Sequence, residues 1–124
     1  MPKTIYEYVF QNNNDISLYT YEVDENDTSY RLRHGEFDRL WKKSIRKADL
    51  PIYGATSNYA GSAWVFSDEP LDIKTIQDYM TKAYDANVEK FEVEISKISK
   101  EIELTRERMT NVLAVGSIID RTKQ

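Results

Sequence analysis

Apolar residues run along this chain with two different periods, and the change falls at Pro70. Before it, Ile5 to Phe10, Ile16 to Val23, Thr28 to His34 and Ser62 to Ser67 are short stretches rich in Tyr, Ile, Val, Phe, Trp and Thr. That composition predicts strands packed on a half-buried pleated surface. Asn12-Asn13-Asn14-Asp15 and Asp24-Glu25-Asn26-Asp27 separate the first three. Such residues tolerate left-handed backbone and form Asx turns, so consecutive hairpins in an antiparallel meander follow. Tyr19, Tyr21 and Val23 share one face of the second strand, and Tyr30, Leu32 and His34 share one face of the third. Arg31 and Arg33 then point together to the opposite side. Residues 39–47 fit two patterns, a helical spacing of Phe37, Leu40, Trp41 and Ile45, or a strand from Leu40 to Lys47 with Trp41 and Ile45 inward; the strand is the reading adopted. Residues 51–63, with two glycines and a proline, predict a surface loop able to approach a ligand closely.

After Pro70 the period becomes helical. From Asp72 to Leu113 there is neither Gly nor Pro, and Ser67, Asp68 and Pro70 supply start signals. A helix of that length runs about 63 Å at 1.5 Å per residue. A compact chain of this size has a radius of gyration of about 14 Å, so the helix must either break or bury its stripe on another chain. Val88, Ile95, Ile102 and Met109 occupy one heptad position, and Phe91, Ile98, Thr105 and Val112 the other. Upstream, Ile73, Ile76, Met80 and Ala83 follow a different phase. The shift near Tyr84 to Asn87 is a stutter or a bend between two helices, and a bend at Asp85 to Asn87 is preferred. The length favours an oligomer held by these helices over a hairpin folded onto the sheet. The expected class is α+β: an antiparallel meander over residues 1–69, a helical oligomerisation part over 70–115 and a tail at 116–124, together one domain.

Charge changes the picture. Residues 31–47 hold Arg31, Arg33, Arg39, Lys42, Lys43, Arg46 and Lys47 against Glu36 and Asp38, a local +5 in a protein of net charge −4. An acidic chain that gathers cations in one stretch fits a compact anion better than a long polyanion, and long duplex nucleic acid is disfavoured. Guanidinium forks match phosphate oxygens, so the segment reads as a phosphate site or as an edge hairpin kept soluble by charge. Arg106 and Arg108 flank the heptad stripe, where assembly could bring them beside a neighbour's Arg31 and Arg33. Tyr84, Asn87 and Phe91 lie on one helical face, where a ring could stack on a base and the amide read its edge, or where all three serve packing.

No catalytic constellation is present in the sequence. The chain has one histidine, His34, and no cysteine, and lacks the nucleophile-elbow, zinc-protease and phosphate-loop motifs, so no enzyme activity, metal or cofactor is expected. No apolar stretch suits a signal peptide or a membrane span, which predicts a cytoplasmic protein and leaves the sequon Asn26-Asp27-Thr28 unmodified.

The meander, the Lys43-Ser44-Ile45-Arg46-Lys47-Ala48-Asp49-Leu50 stretch, the Trp64-Val65-Phe66 strand ending in Ser67-Asp68-Glu69, and the long heptad helix occur in that order. Over roughly residues 5–113 this layout resembles the phage anti-Thoeris proteins that sequester cyclic ADP-ribose signals. The resemblance implies a sheet with C-terminal helices, assembly through the helices, and a cyclic nucleotide caged between protomers without cleavage. It implies ligand contacts from Arg31 or Arg33, Arg106 or Arg108, Tyr84 or Phe91, and Asn87. The 51–63 loop departs from the family pattern in being longer and richer in Tyr, and with Lys42, Lys43 and Arg46 it offers a second nucleotide site. The rival is an acidic interaction module that engages a host protein through its surface and its heptad helix.

Overall fold

The computed structural model describes residues 2–11, 15–56 and 61–122. Six strands, β1 (Pro2–Phe10), β2 (Ile16–Glu25), β3 (Ser29–Arg31), β4 (Ser44–Arg46), β5 (Ile52–Ala55) and β6 (Ala63–Ser67), precede one helix, α1 (Ile73–Ala114). They form a single sheet in the order β4-β3-β2-β1-β6-β5 with every neighbouring pair antiparallel. The class is α+β, as expected. The meander covers β1 to β4, and β6 then closes on the free edge of β1, pairing Phe10 with Ala63 and Tyr6 with Ser67.

The strand boundaries differ from expectation in three places. The third strand stops at Arg31, where Leu32 donates its N–H to the Lys43 carbonyl at 2.8 Å and the chain leaves the ladder. The expected strand through residues 40–47 is reduced to β4; Ile45 is buried as expected, but Trp41 faces solvent in a tight turn closed by the Phe37 N–H on the Lys42 carbonyl. Residues 52–55, expected in a loop, are an edge strand instead. Here Gly54 faces Trp64, and a Cβ at Gly54 would stand 2.8 Å from the indole, so this glycine makes room for an internal ring rather than for a ligand. The asparagines of the first expected turn, residues 12–14, and loop residues 57–60 lie outside the described residues, as does the end of the tail, 123–124.

Alternation along β1 and β6 fills both faces of the sheet. On one face Ile5, Val23, Tyr30, Leu32, Phe37, Ile45 and Phe66 form a core, with Phe37 edge-on to Tyr21 and Phe66 at 5.1 and 6.0 Å between ring centroids. On the other, Tyr8, Ala63 and Val65 pack against Ile76 and Met80 of α1. The Asp72 carboxylate accepts the Thr75 N–H at 2.9 Å and caps the helix, while the Leu71 N–H donates to the Tyr8 hydroxyl. No bend interrupts α1 at residues 85–87, which correct the preference for two helices: the backbone is helical from Ile73 to Ala114. The change of phase marks a change of surroundings. Ile76, Met80 and Ala83 are buried, and beyond Val88 every described helical residue except the half-buried Phe91 is exposed. By contact the chain divides into two compact units, Met1–Val88 and Glu89–Gln124.

Candidate functional site

The cations of residues 31–47 are mostly matched by carboxylates that lie outside the segment in sequence. Arg33 grips Asp24 with two parallel bonds, Nε to Oδ2 and Nη2 to Oδ1, each 3.0 Å. That fork holds the Asp24 carboxyl below the usual carboxylate range. Arg46 grips Asp49 in the same manner, and Lys47 donates to Glu25, whose carboxyl is likewise lowered. Lys47 also stands over the Tyr30 ring, 5.2 Å from its centroid. Burial and a hydrogen bond to Asp68 push the Tyr30 hydroxyl up to about 12. Arg39 turns inward to Glu7. Four of the seven cations, Arg33, Arg39, Arg46 and Lys47, are therefore paired with Asp24, Glu7, Asp49 and Glu25. Among the described residues Arg31, Lys42 and Lys43 are the members of the segment without an ion pair.

The expected pair Arg31 and Arg33 is split in role. Arg31 sits across from Asp24 in the β2–β3 ladder, and Arg33, past the strand end, holds that same carboxylate. A cleft of ≈ 500 Å³ opens there, lined by Glu22, Asp24, Arg33 and His34. An anion entering it meets two carboxylates beside one engaged guanidinium.

The most constrained polar group is one that the motif reading passed over. Glu7, in the middle of β1, is wholly buried and accepts hydrogen bonds from the Tyr21 hydroxyl at 2.7 Å and from Arg39 Nη1 at 3.2 Å. Desolvation raises its pKa above the ordinary glutamate value, against the lowering influence of the Tyr21 and Arg39 hydrogen bonds. The Tyr21 hydroxyl is pushed well up by burial and by Glu7. Arg39 reaches this position with φ at 69°, and Trp41 follows at 56°, both left-handed and each costing a non-glycine residue about 1–2 kcal/mol. The plug of Phe37 below and the Arg39–Glu7 pair beside it hold the turn in place, and Trp41 is left 83% exposed at its tip. The alternation of Ile5, Glu7 and Val9 was the available signal: a carboxylate between two apolar residues of one face must be buried with partners.

On the helix, Tyr84 and Asn87 fall together as expected, and both polar ends are already engaged. The Tyr84 hydroxyl donates to the Gly61 carbonyl and Asn87 Nδ2 to the Thr56 carbonyl at 2.9 Å, so they clasp the two ends of the loop between β5 and β6. Phe91, Arg106 and Arg108 belong to the second unit. Arg106 lines a shallow apolar groove of ≈ 460 Å³ with Ile98, Ile102, Thr105 and Met109, and Arg108 is exposed. Among the described residues no group of three His, Asp or Glu side chains is placed to hold a metal ion, and no helix is long and apolar enough to cross a membrane. Comparison with protein-family models, with curated proteins and with solved structures finds no match for this chain.

Proposed function

We propose that this chain is a non-catalytic interaction module that works as an assembly, with the C-terminal part of α1 as its contact surface and a protein as its target. The observation that carries this reading is the exposed apolar stripe: Ile95, Ile98 and Met109 are 63%, 60% and 62% exposed at heptad spacing. A stripe of this length left in water is worth burying at about 25 cal/mol per Å² of apolar surface. Arg39 and Glu7 support the absence of catalysis in the same reading, since Glu7, whose carboxyl pKa burial raises, is sealed from substrate and held by its partners. Light scattering on the purified chain at micromolar concentration tests the proposal. An oligomer that Ile98→Asp with Ile102→Asp reduces to monomers is the expected result, and a monomeric unmodified protein overturns it.

A second reading, sequestration of a cyclic nucleotide signal by a phage anti-defence protein, has one observation in its favour. Arg31, Lys42 and Lys43 are close in the β3–β4 region and carry no carboxylate partner, which leaves them able to grip a pyrophosphate. Against it stand the engaged states of Arg33, Arg46, Tyr84 and Asn87. Heating the purified protein separates the two: an intact nucleotide absorbing near 260 nm in the supernatant favours sequestration, and a nucleotide-free protein favours the interaction module.

A further inference from the structure

The order of charges along the exposed part of α1 favours one register for such an assembly; this step rests on the reading of the stripe as the contact surface. Glu92, Ser99 and Arg106 run along one edge of the stripe, and Glu94, Glu101 and Arg108 along the other. Both edges begin with glutamate and finish with arginine. All six residues are exposed, and none of the five charged side chains among them is engaged in a hydrogen bond or ion pair with another described residue.

Two copies side by side in parallel register set each residue of the second edge against the one five places further along the first edge. Glu101 then meets Arg106, but Glu94 meets Ser99 and Arg108 meets Leu113, so one kind of ion pair forms. With the second copy reversed about residue 100, each edge faces its own counterpart. Glu92 meets Arg106 of the second copy and Glu94 meets Arg108, each twice by symmetry. The single unfavourable meeting is Glu101 with Glu101. The apolar layers close in the same register, Phe91 on Met109, Ile95 on Thr105 and Ile98 on Ile102, with the two heptad positions alternating as reversed helices require. Thr105 fits this seam because its hydroxyl already donates to the Glu101 carbonyl at 2.7 Å, which leaves its methyl to pack on Ile95. The opposed helix dipoles add to the preference.

We propose that α1 pairs with α1 of a second copy in antiparallel register centred on residue 100, and that Arg106 and Arg108 serve this pairing as partners of Glu92 and Glu94. The absence of cysteine makes the test direct. Asn111→Cys, at an exposed outward heptad position, takes one spin label per chain. Antiparallel pairing places the two labelled backbone sites about 33 Å apart along the axis at 1.5 Å per residue, whereas parallel pairing brings them within about 20 Å, set mainly by the 8–10 Å between axes and the label arms. A long distance, alone or beside a short one from a four-helix bundle, supports the proposal. A short distance alone, in a sample that scatters as an oligomer, overturns the register and leaves assembly standing. A monomer in the same sample overturns the assembly reading itself. Glu101→Gln gives an independent check: relief of the one like-charge meeting tightens an antiparallel dimer about twofold, and loss of the Glu101–Arg106 pair weakens a parallel one.

Discussion

Arg39 and Glu7 are thirty-two residues apart in sequence and meet inside the sheet, one held in a left-handed turn and the other sealed in the central strand. Removing the arginine leaves the carboxylate buried with Tyr21 alone. Breaking a buried pair costs about 3–5 kcal/mol when neither partner can reach water, and because Arg39 is part-exposed we expect Arg39→Ala to cost about 3 kcal/mol near neutral pH. The sign with pH follows from Glu7. Its folded pKa lies above the unfolded value, so the penalty for its charge is absent below the unfolded pKa and grows as pH rises through the folded one. The deficit of Arg39→Ala should therefore shrink in urea titrations at pH 4 relative to pH 7; a deficit independent of pH would mean that Glu7 keeps its proton throughout. The pair was half legible in the sequence. Burial of Glu7 follows from its place between Ile5 and Val9, but the identity of its partner does not, because positive φ at Arg39 and Trp41 has no local signature in residues that disfavour it.

The elements were read best where one rule governed them. β1, β2 and β6 follow from alternation and composition, and α1 from a long run without Gly or Pro. The expected bend failed because a change of hydrophobic phase can mark a change of environment as well as a break, and the helix passes from a buried face at Ile76, Met80 and Ala83 to an exposed stripe with its backbone intact. β5 was missed because its glycine and proline, read locally, signal a loop, while the reason for Gly54 is Trp64 on the neighbouring strand. Gly54→Ala should push the indole aside at a cost of about 1–3 kcal/mol, the range for overpacking. A lowered denaturation midpoint with a shifted tryptophan emission is the expected outcome, and an unchanged midpoint would show that β5 yields freely.

At the scale of the whole molecule, charge counted along the sequence differs from charge in space. The +5 of residues 31–47 is a property of the chain; in space Glu7, Asp24, Glu25 and Asp49 reduce it to +1, because antiparallel pairing and the loop before β4 bring the first three against it and Asp49 follows Arg46 by three residues. Candidate residues on one helix, Tyr84 and Asn87, were correctly brought together, since helical spacing alone decides that. The proposed assembly through α1 would make stability a matter of mass action, so the midpoint of thermal unfolding should rise with protein concentration between 1 and 100 μM, and Ile98→Asp with Ile102→Asp should abolish the rise. The place of β1 in the sheet has a consequence for biosynthesis. Its partner on one side, β2, follows within a few residues, but its other edge waits for β6, more than fifty residues later, where Phe10 meets Ala63. A ribosome-bound chain thus carries an open strand edge beside Ile5 and Val9 until β6 emerges, the interval in which a nascent chain is most in need of a chaperone.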